Sequence, residues 1–300
     1  MELSDKITAV GRMQAYIAAH LDEDITLDAL AETAGYSKYH AVRIFKELTG
    51  KSPFDTIRAL RLTKAAQRLQ GSDEKVVDVA FDSGFDSHDG FTRAFARQFG
   101  IAPQKYKRET PAVRWFAPHP IKHYYLMKGG ARTMASEKVP RTVTVTPVER
   151  PARKMILKRT VHSPDYWAMC EEIGCDWERV LNSIPERLDE WCYCQLPQSL
   201  MTPGTTSAAS RIEIPIDYAK PIPDGCDVIE LPPCTMLYFR SSSYENPNDF
   251  GIAHEIVAEA VATYKPELYG WQYAPELAPE ITFNADNKTG VRCARPVRKI

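Results

Sequence analysis

The chain has 300 residues, 44% of them hydrophobic and 26% charged, with a formal net charge of −1, which is typical of a soluble globular protein with two domains. It contains no run of about 18 apolar residues, which excludes a transmembrane helix. The opening residues lack the basic stretch and apolar core of a signal peptide, so we expect a cytoplasmic protein without membrane association.

The charge is divided unevenly along the chain. Between Lys38 and Arg68, eight basic residues stand against two acidic ones, whereas residues 141–300 carry a net charge of −5. A basic first half joined to an acidic second half favours a polyanionic partner for the first half only. A solvated basic helix face would give the same counts, so charge alone leaves both interpretations open.

The first hundred residues contain two copies of one unit. Gly35 corresponds to Gly84 at an offset of 49. At an offset of 50, the residues Ser37, Arg43, Phe45, Gly50 and Pro53 recur as Ser87, Arg93, Phe95, Gly100 and Pro103. Landmarks repeated in this order indicate a duplication.

Each copy is predicted to be two helices around a tight turn. In the first copy, Thr26 caps a helix with apolar residues at helical spacing, Gly35 supplies the turn and Ser37 caps the second helix. The second copy repeats the pattern with Gly84 and Ser87. A long amphipathic helix from about residue 53 to 69 is predicted between the copies, where it would fix their spacing.

The second helix of each copy carries polar residues opposite its apolar stripe. On such a face arginine can form two parallel hydrogen bonds with guanine, valine can meet a thymine methyl, and capping serines can hold phosphates. The residues predicted to contact DNA are Ser37, Lys38, Tyr39, Val42, Arg43 and Lys46 in the first copy and Ser87, His88, Asp89, Arg93 and Arg97 in the second. Because Asp89 would repel phosphate, we expect the first of these helices to supply more base contacts.

Two stretches resemble AraC-type transcription regulators. Residues 31–46 resemble the first helix-turn-helix of that family, and residues 84–106 resemble its second-unit signature. The resemblance covers residues 5–108 and implies two recognition helices in successive major grooves of double-stranded DNA, with RNA polymerase as a partner. Since one chain then spans both grooves, a monomer or weak dimer is expected.

The pattern changes after residue 108, the predicted end of the DNA-binding domain. Residues 109–140 contain four prolines and a Gly-Gly pair, and they are predicted to form a linker. In the remaining domain, 141–300, residues 149–158 parallel residues 230–239 at an offset of 81. Helices are predicted at 177–191 and 250–264, and strands at 211–216 and 280–284.

These elements predict the fold class α+β with two domains. An all-α domain with two helix-turn-helix units comes first. Two strand–helix–strand–strand repeats on one antiparallel sheet then form an α+β domain, with the helices on one face and a cleft at a pseudo-two-fold axis.

Alternation along the strands predicts which side chains point into the cleft. The isoleucines of residues 211–216 should lie under the helices, which leaves Arg211 and Glu213 to point the other way, and Glu280 is predicted to point to the cleft as well. A carboxylate surrounded by aromatic rings attracts a flat or cationic ligand. The predicted effector-binding residues are Glu280, Glu213, Tyr238, Trp271 and Tyr273. Alternatively, the rings fill the core and Glu280 is solvated.

The second half also resembles a known family, the GyrI-like effector-binding domains. The resemblance runs from about residue 143 to 300 and includes residues 230–239, 264–271, 278–281 and 295–300. It implies a small hydrophobic or cationic effector, with Glu280 as the pocket acid. Thr282 stands where this family usually has an aromatic residue. We therefore expect a transcription regulator modulated by a small molecule, with no cofactor, no metal and no enzymatic activity.

Other interpretations stay open. Some GyrI-like domains resemble hydrolases, in which Glu280 or Glu213 would activate water, although the sequence offers neither a nucleophile–His–Asp order nor a metal-ligand cluster. An architectural DNA-binding protein with an empty pocket is another. The pair Cys192 and Cys194, with Cys170 and Cys175 nearby, suggests a metal or oxidant sensor, but buried or free thiols are the simpler interpretation in a reducing compartment.

Overall fold

The computed structural model describes residues 3–116, 142–163, 165–174, 177–245, 249–283 and 288–300. The chain divides into two compact units, Met1–Arg132 and Thr133–Ile300. Within the described ranges, no helix is both long and apolar enough to cross a membrane.

In the described residues 3–116 of the first unit, all secondary structure is helical. Its helices are α1 (Leu3–Ala19), α2 (Leu27–Ala34), α3 (Lys38–Thr49), α4 (Pro53–Leu69), α5 (Val76–Asp82), α6 (His88–Phe99) and α7 (Pro103–Glu109). The pairs α2–α3 and α5–α6 are the two predicted helix-turn-helix units, and α4 is the predicted connecting helix.

Local hydrogen bonds explain where these helices begin and end. The Thr26 hydroxyl accepts from the backbone N–H of Ala29 at 3.2 Å, and the Ser37 hydroxyl accepts from that of His40 at 3.4 Å. Gly35 has a φ of 74°, a left-handed conformation that ends α2 at little steric cost. These contacts confirm the predicted caps and the predicted turn.

Each helix-turn-helix unit has its own apolar core. Met13, Leu30 and Phe45 are fully buried in the first, and Phe91 and Phe95 are fully buried in the second. Helix α4 contributes side chains to both cores and therefore holds the two units together.

The predicted linker needs correction at its start. Val113 and Trp115 are buried in the second core, and the backbone N–H of Phe116 donates to the Thr63 hydroxyl at 2.8 Å. Apolar side chains at these positions cover part of the core, so the chain stays packed on the first unit through residue 116. The rest of the predicted linker, 117–140, lies outside the described residues.

The second unit combines a large sheet with helices. Its strands are β1 (Val143–Arg150), β2 (Arg153–Arg159), β3 (Cys192–Gln195), β4 (Ala208–Pro215), β5 (Asp227–Leu231), β6 (Cys234–Ser241), β7 (Trp271–Tyr273), β8 (Glu280–Phe283) and β9 (Arg292–Lys299). Its helices are α8 (Tyr166–Ile173), α9 (Trp177–Leu181) and α10 (Phe250–Thr263).

The strands pair antiparallel in the order β1-β6-β9-β8-β3-β4-β2-β5, with β7 added beside β9. This order is symmetrical about the central β8–β3 pair, since β1, β6, β9 and β8 match β5, β2, β4 and β3. Only two residues separate β1 from β2, and two separate β5 from β6. The sheet must therefore curl so that its two ends approach one another.

Two details differ from the sequence predictions. Each of the two repeats along the sequence contributes two strands before its helix, not one. The helix predicted at 177–191 ends at Leu181, because the chain turns before Pro185 and the side chain of Asn182 accepts from the backbone N–H of Trp191 at 2.8 Å. The other predicted helix, 250–264, is present as Phe250–Thr263.

Candidate functional site

Helix α3 exposes the polar face that the sequence predicts. Ala41, Ile44 and Phe45 are fully buried on its opposite side, whereas the Tyr39 ring is 78% exposed. Ser37, Lys38, Arg43 and Lys46 are exposed and Val42 is partly exposed. The face therefore presents cations and one aromatic ring to solvent, over an apolar base that fixes the helix.

Two contacts orient the cations of α3. The Lys38 ammonium lies 2.6 Å from the carboxylate of Asp28 on α2. A guanidinium nitrogen of Arg43 lies 3.0 Å from Nδ1 of His40, one turn earlier on the same helix. Arg43 is thereby oriented along the exposed face of the helix.

Helix α6 presents a different face. The Ser87 hydroxyl accepts from the backbone N–H of Gly90 at 3.2 Å and caps the helix, while Asp89 and His88 lie exposed beside it. Arg93 and Arg97 are exposed, and neither forms an ion pair with any residue that the structure describes. This face carries its negative charge at the N-terminal end and its free arginines further along.

Arg61 of α4 ties the two helix-turn-helix units to the chain before them. Its guanidinium donates to the backbone carbonyls of Leu21 at 2.9 Å and Glu23 at 2.6 Å. A side chain on Gly84, in the turn of the second unit, would place its Cβ 2.6 Å from this guanidinium. The φ of 76° favours glycine in this turn, and an added Cβ would also require the end of the Arg61 side chain to shift.

The second unit has two distinct sheet faces. Helices α8, α9 and α10 pack on one of them, where Tyr166 contacts Tyr193, Lys158 lies over the ring of Trp177, and Phe239 contacts α10. The strand registers place Tyr193, Lys158 and Phe239 on this side, here called the helix face. The opposite side, the cleft face, carries residues such as Leu157 and Tyr238.

A cleft of about 440 Å³ opens on the cleft face. It is lined by Pro185, Arg187, Leu188, Asp189, Glu190, Tyr238, Phe283 and Arg292. Cys192 of β3 is paired with Phe283 of β8, so the cleft lies beside the central strand pair. A volume of this size is in the range of small-molecule sites.

Buried charges lie on the same face. Glu213 is 2% exposed and forms ion pairs with Arg150 and Arg153, while the fully buried Arg211 pairs with Asp189. Burial alone would raise the pKa of Glu213, but Arg211, Arg153 and Arg150 together hold that pKa below its usual value. Burial raises the pKa of Asp189, against the opposing effect of Arg211.

The five predicted effector-binding residues do not share one face, which corrects the sequence prediction. Glu213 and Tyr238 lie on the cleft face, and Tyr238 lines the cleft. Glu280 pairs with Gln195 in register, and this places it on the helix face. Trp271 and Tyr273 also pack on that face, in the core under α10.

The reason is that both faces of this sheet are buried. In β4 the isoleucines face the helices as predicted, but in β8 the apolar residues Ile281 and Phe283 face the other core. Alternation separates the two sides of a strand without saying which side meets the helices. Glu280 lies 3.0 Å from Arg295, and its side chain is 44% exposed.

Sequence analysis missed Phe283, Arg292 and Asp189 as cleft residues. One signal was available, since Arg292 follows Arg211 by 81 residues, the offset of the repeat. Asp189 lies in the segment that was predicted to be helical, so its contact with Arg211 had no basis in the sequence.

The cysteines of β3 are shielded. Cys192 and Cys194 are fully buried, and burial raises the pKa of Cys194 to about 12. Such thiols are poorly reactive. Over the described residues, no group of three or more His, Cys, Asp or Glu side chains is arranged to hold a metal ion. Cys175, part of the predicted sensor, lies outside those residues.

The first unit is similar to a known family. Residues 30–109 match a family model described as a helix-turn-helix domain. Transcriptional regulator Rob of Salmonella typhimurium is 39% identical over 106 residues, which are 35% of this chain and 37% of that protein. Multiple antibiotic resistance protein MarA of Escherichia coli is 35% identical over 109 residues, which are 36% of this chain and 86% of that protein. The chain thus covers little more than a third of Rob but most of MarA.

Solved structures match about a third of the chain. The DNA-binding domain of AdpA, solved with a target DNA, is 31% identical, and the match covers 33% of this chain and 89% of that one with a TM-score of 0.31. A probable AraC family transcriptional regulator from Rhodopseudomonas palustris is 26% identical, with 34% and 95% covered and a TM-score of 0.33.

Proposed function

Because the chain belongs to the AraC family of helix-turn-helix transcription regulators, we propose that its first unit binds double-stranded DNA and regulates transcription. Helices α3 and α6 enter successive major grooves, and α4 sets their separation. The observation that carries this proposal is the pair of exposed, arginine-bearing faces, each opposite a fully buried apolar stripe. One chain supplies both helices, so a dimer is not required for binding.

Helix α3 reads bases in this proposal. Arg43 reaches guanine O6 and N7 with two donors, and Val42 meets a thymine methyl. Lys38, Tyr39 and Lys46 contact the phosphates at either side of the groove, with Ser37 and the helix N-terminus.

Helix α6 acts mainly on the backbone. The Asp89 carboxylate repels phosphate, so base recognition near it is limited to donors such as cytosine N4. Arg93 and Arg97 remain free of ion pairs within the described part of the chain, and they neutralise phosphates in the second groove. The two helices therefore contribute unequally to sequence specificity.

The second unit supplies the regulation. We propose that a small organic molecule binds in the 440 Å³ cleft and alters the DNA affinity of the first unit or its contacts with RNA polymerase. The resemblance of this unit to GyrI-like domains supports the proposal, as does the position of Tyr238 in the cleft lining. Regulation requires the molecule to bind one state of the protein more tightly than the other.

A selection of random duplexes by the full-length protein at two salt concentrations tests the DNA-binding proposal. Two conserved blocks about one helical turn apart are expected. On the selected site, Arg43→Ala should cost about 1–3 kcal/mol and relax the preference at one base pair. Arg93→Ala should weaken binding to all sequences and flatten the salt dependence.

Arg298→Ala is the matched control, since Arg298 is an exposed arginine of the second unit paired with Glu276. Its affinity for DNA should equal that of the unmodified protein. An Arg43→Ala variant that lost affinity equally for every sequence would make Arg43 a phosphate contact. If no motif emerged and binding vanished as the salt concentration rose, sequence-specific regulation would be refuted.

A further inference from the structure

The cleft face carries more positive than negative charge. Arg187 and Arg292 line the cleft together with Asp189 and Glu190, and the buried network that begins at Asp189 adds Arg150, Arg153 and Arg211 against Glu213. The resulting excess of two positive charges lies among buried side chains such as Arg153 and Arg211, where the effective dielectric constant is lower than in water. Such a site attracts anions and opposes cations.

Several arginine donors in this region have no partner. Within the described residues, Nε and Nη2 of Arg211 and Nε of Arg292 are buried and donate to no acceptor. A buried donor without an acceptor costs free energy, and a cationic one costs more. Glu190, the ion-pair partner of Arg292, is 60% exposed and therefore free to turn to water. These incompletely satisfied guanidinium groups leave positive charge beside the cleft that a ligand of negative charge would compensate.

Aromatic rings form the apolar part of the same cleft. The rings of Tyr238 and Phe283 lie 5.8 Å apart with an angle of 28° between their planes. The guanidinium carbons of Arg211 and Arg292 lie 5.9 and 5.1 Å from the centre of the Phe283 ring. Both arginines therefore approach the ring against which a flat ligand would pack.

We propose that this cleft binds a small aromatic carboxylate. The carboxylate oxygens accept hydrogen bonds from Arg292, the field of Arg211 adds to the attraction, and the aromatic ring of the ligand packs against Tyr238 and Phe283. This inference rests on the proposed effector role of the second unit. It replaces the cationic ligand expected at Glu280 with an anionic ligand on the opposite face of the sheet.

Titration calorimetry on the full-length protein tests the charge preference. The probes are 2-naphthoate, 2-naphthylmethylammonium and 2-naphthalenemethanol, which share a ring system and differ in charge. We expect 2-naphthoate to bind at least roughly tenfold more tightly than the other two, because a hydrogen bond to a charged group contributes this much or more. Equal affinities, tighter binding of the ammonium probe, or no binding of 2-naphthoate at millimolar concentration would overturn the proposal.

Two variants on strand β9 locate the site. Arg292→Gln removes the lining cation and leaves only an exposed carboxylate unpaired, so the protein should fold and bind 2-naphthoate roughly tenfold more weakly. Arg298→Gln removes an exposed cation of the same strand that pairs with Glu276, and its affinity should be unchanged. Equal affinities of the two variants would place the anion elsewhere.

DNA affinity measured with and without 2-naphthoate separates this proposal from the proposed function. Binding of 2-naphthoate that depends on Arg292 and leaves DNA affinity unchanged would support the anion site and refute coupling through DNA affinity. Loss of the selected DNA motif would refute the proposed DNA recognition without affecting the anion site.

Discussion

The two units use arginine in opposite ways. In the first unit, Arg43 and Arg93 lie exposed on helix faces whose other side is an apolar core. In the second unit, Arg153 and Arg211 are completely buried and lie against Glu213 and Asp189. The same side chain thus serves as a free cation in one place and as part of a buried charge network in the other.

The two arrangements differ in the free energy needed to remove the cation from water. An exposed cation keeps its hydration and needs no partner, so it stays available for a phosphate or a base. A buried cation needs compensating charge, and the network exists only while each member is present. Substitution of Arg43 or Arg93 should therefore change binding, whereas loss of a member of the buried network around Arg153 and Arg211 should change stability.

The largest effect is expected for Glu213→Ala. This substitution leaves Arg153 and Arg211 buried without their shared carboxylate, and the free energy of unfolding of the second unit should fall by about 3–5 kcal/mol. Urea denaturation followed by hydrogen exchange of the β2 and β4 amides measures the loss. The first unit should keep its exchange protection.

Glu276→Gln is the control for this prediction. Glu276 pairs with Arg298 at 2.5 Å, but both side chains are about half exposed, and the cost should stay within about 0.5 kcal/mol. Similar losses of unfolding free energy in Glu213→Ala and Glu276→Gln would mean that burial does not determine how much these ion pairs contribute to stability. The proposed difference between exposed and buried arginines would then be wrong.

Sequence predicts the two units unequally well, for a physical reason. Helix caps and turn glycines act through contacts a few residues apart, so Thr26, Gly35 and Ser37 could be recognised directly. Which side of a strand meets the helices depends on the elements that pack on each side. The residues of the strand alone do not specify those elements. Glu280 was misplaced for this reason, although its strand was predicted within one residue.

The cleft depends on contacts between residues that are still further apart in the sequence. Asp189 and Arg211 are 22 residues apart, and Arg150 reaches Glu213 across 63 residues because the sheet curls. The charged residues could be identified in the sequence, but their ion-pair partners could be identified only once the order of the strands in the sheet was known.

A smaller effect is expected at the glycines of the first unit. Gly84 and Gly100 both have positive φ, so alanine at either position should cost about 1–2 kcal/mol. At Gly84 the new Cβ would also approach the Arg61 guanidinium to 2.6 Å, whereas at Gly100 nothing lies within 4 Å. Displacing Arg61 from the carbonyls of Leu21 and Glu23 should add at least about 1 kcal/mol.

Thermal unfolding of Gly84→Ala and Gly100→Ala compares the two positions directly, because both substitutions carry the same backbone penalty. A larger loss at Gly84 would identify Arg61 as a stabilising contact of the first unit. Equal losses would show that Arg61 moves aside freely and acts as an exposed cation like Arg43.

The smallest effect concerns two carboxylates, one in each unit. Glu172 accepts from the backbone N–H groups of Val161 and His162 at 2.6 and 2.9 Å and from the Ser163 hydroxyl at 2.5 Å. Although burial opposes them, these hydrogen bonds lower its pKa to about 2. In the first unit, the pKa of Glu47 is lowered mainly by a hydrogen bond from Lys6.

Carbon-13 NMR titration should therefore give a midpoint near pH 2 for Glu172, nearly independent of salt, and a salt-sensitive midpoint for Glu47. A carboxylate with a lowered pKa stabilises the fold above its unfolded pKa. That contribution should fall as the pH drops from about 4.5 towards 2. Glu172→Gln should accordingly be destabilising at pH 7, and the deficit should shrink as the pH falls, while Glu171→Gln should have no effect. A Glu172 midpoint near 4.5 would mean that these neutral donors do not stabilise the ionised carboxylate.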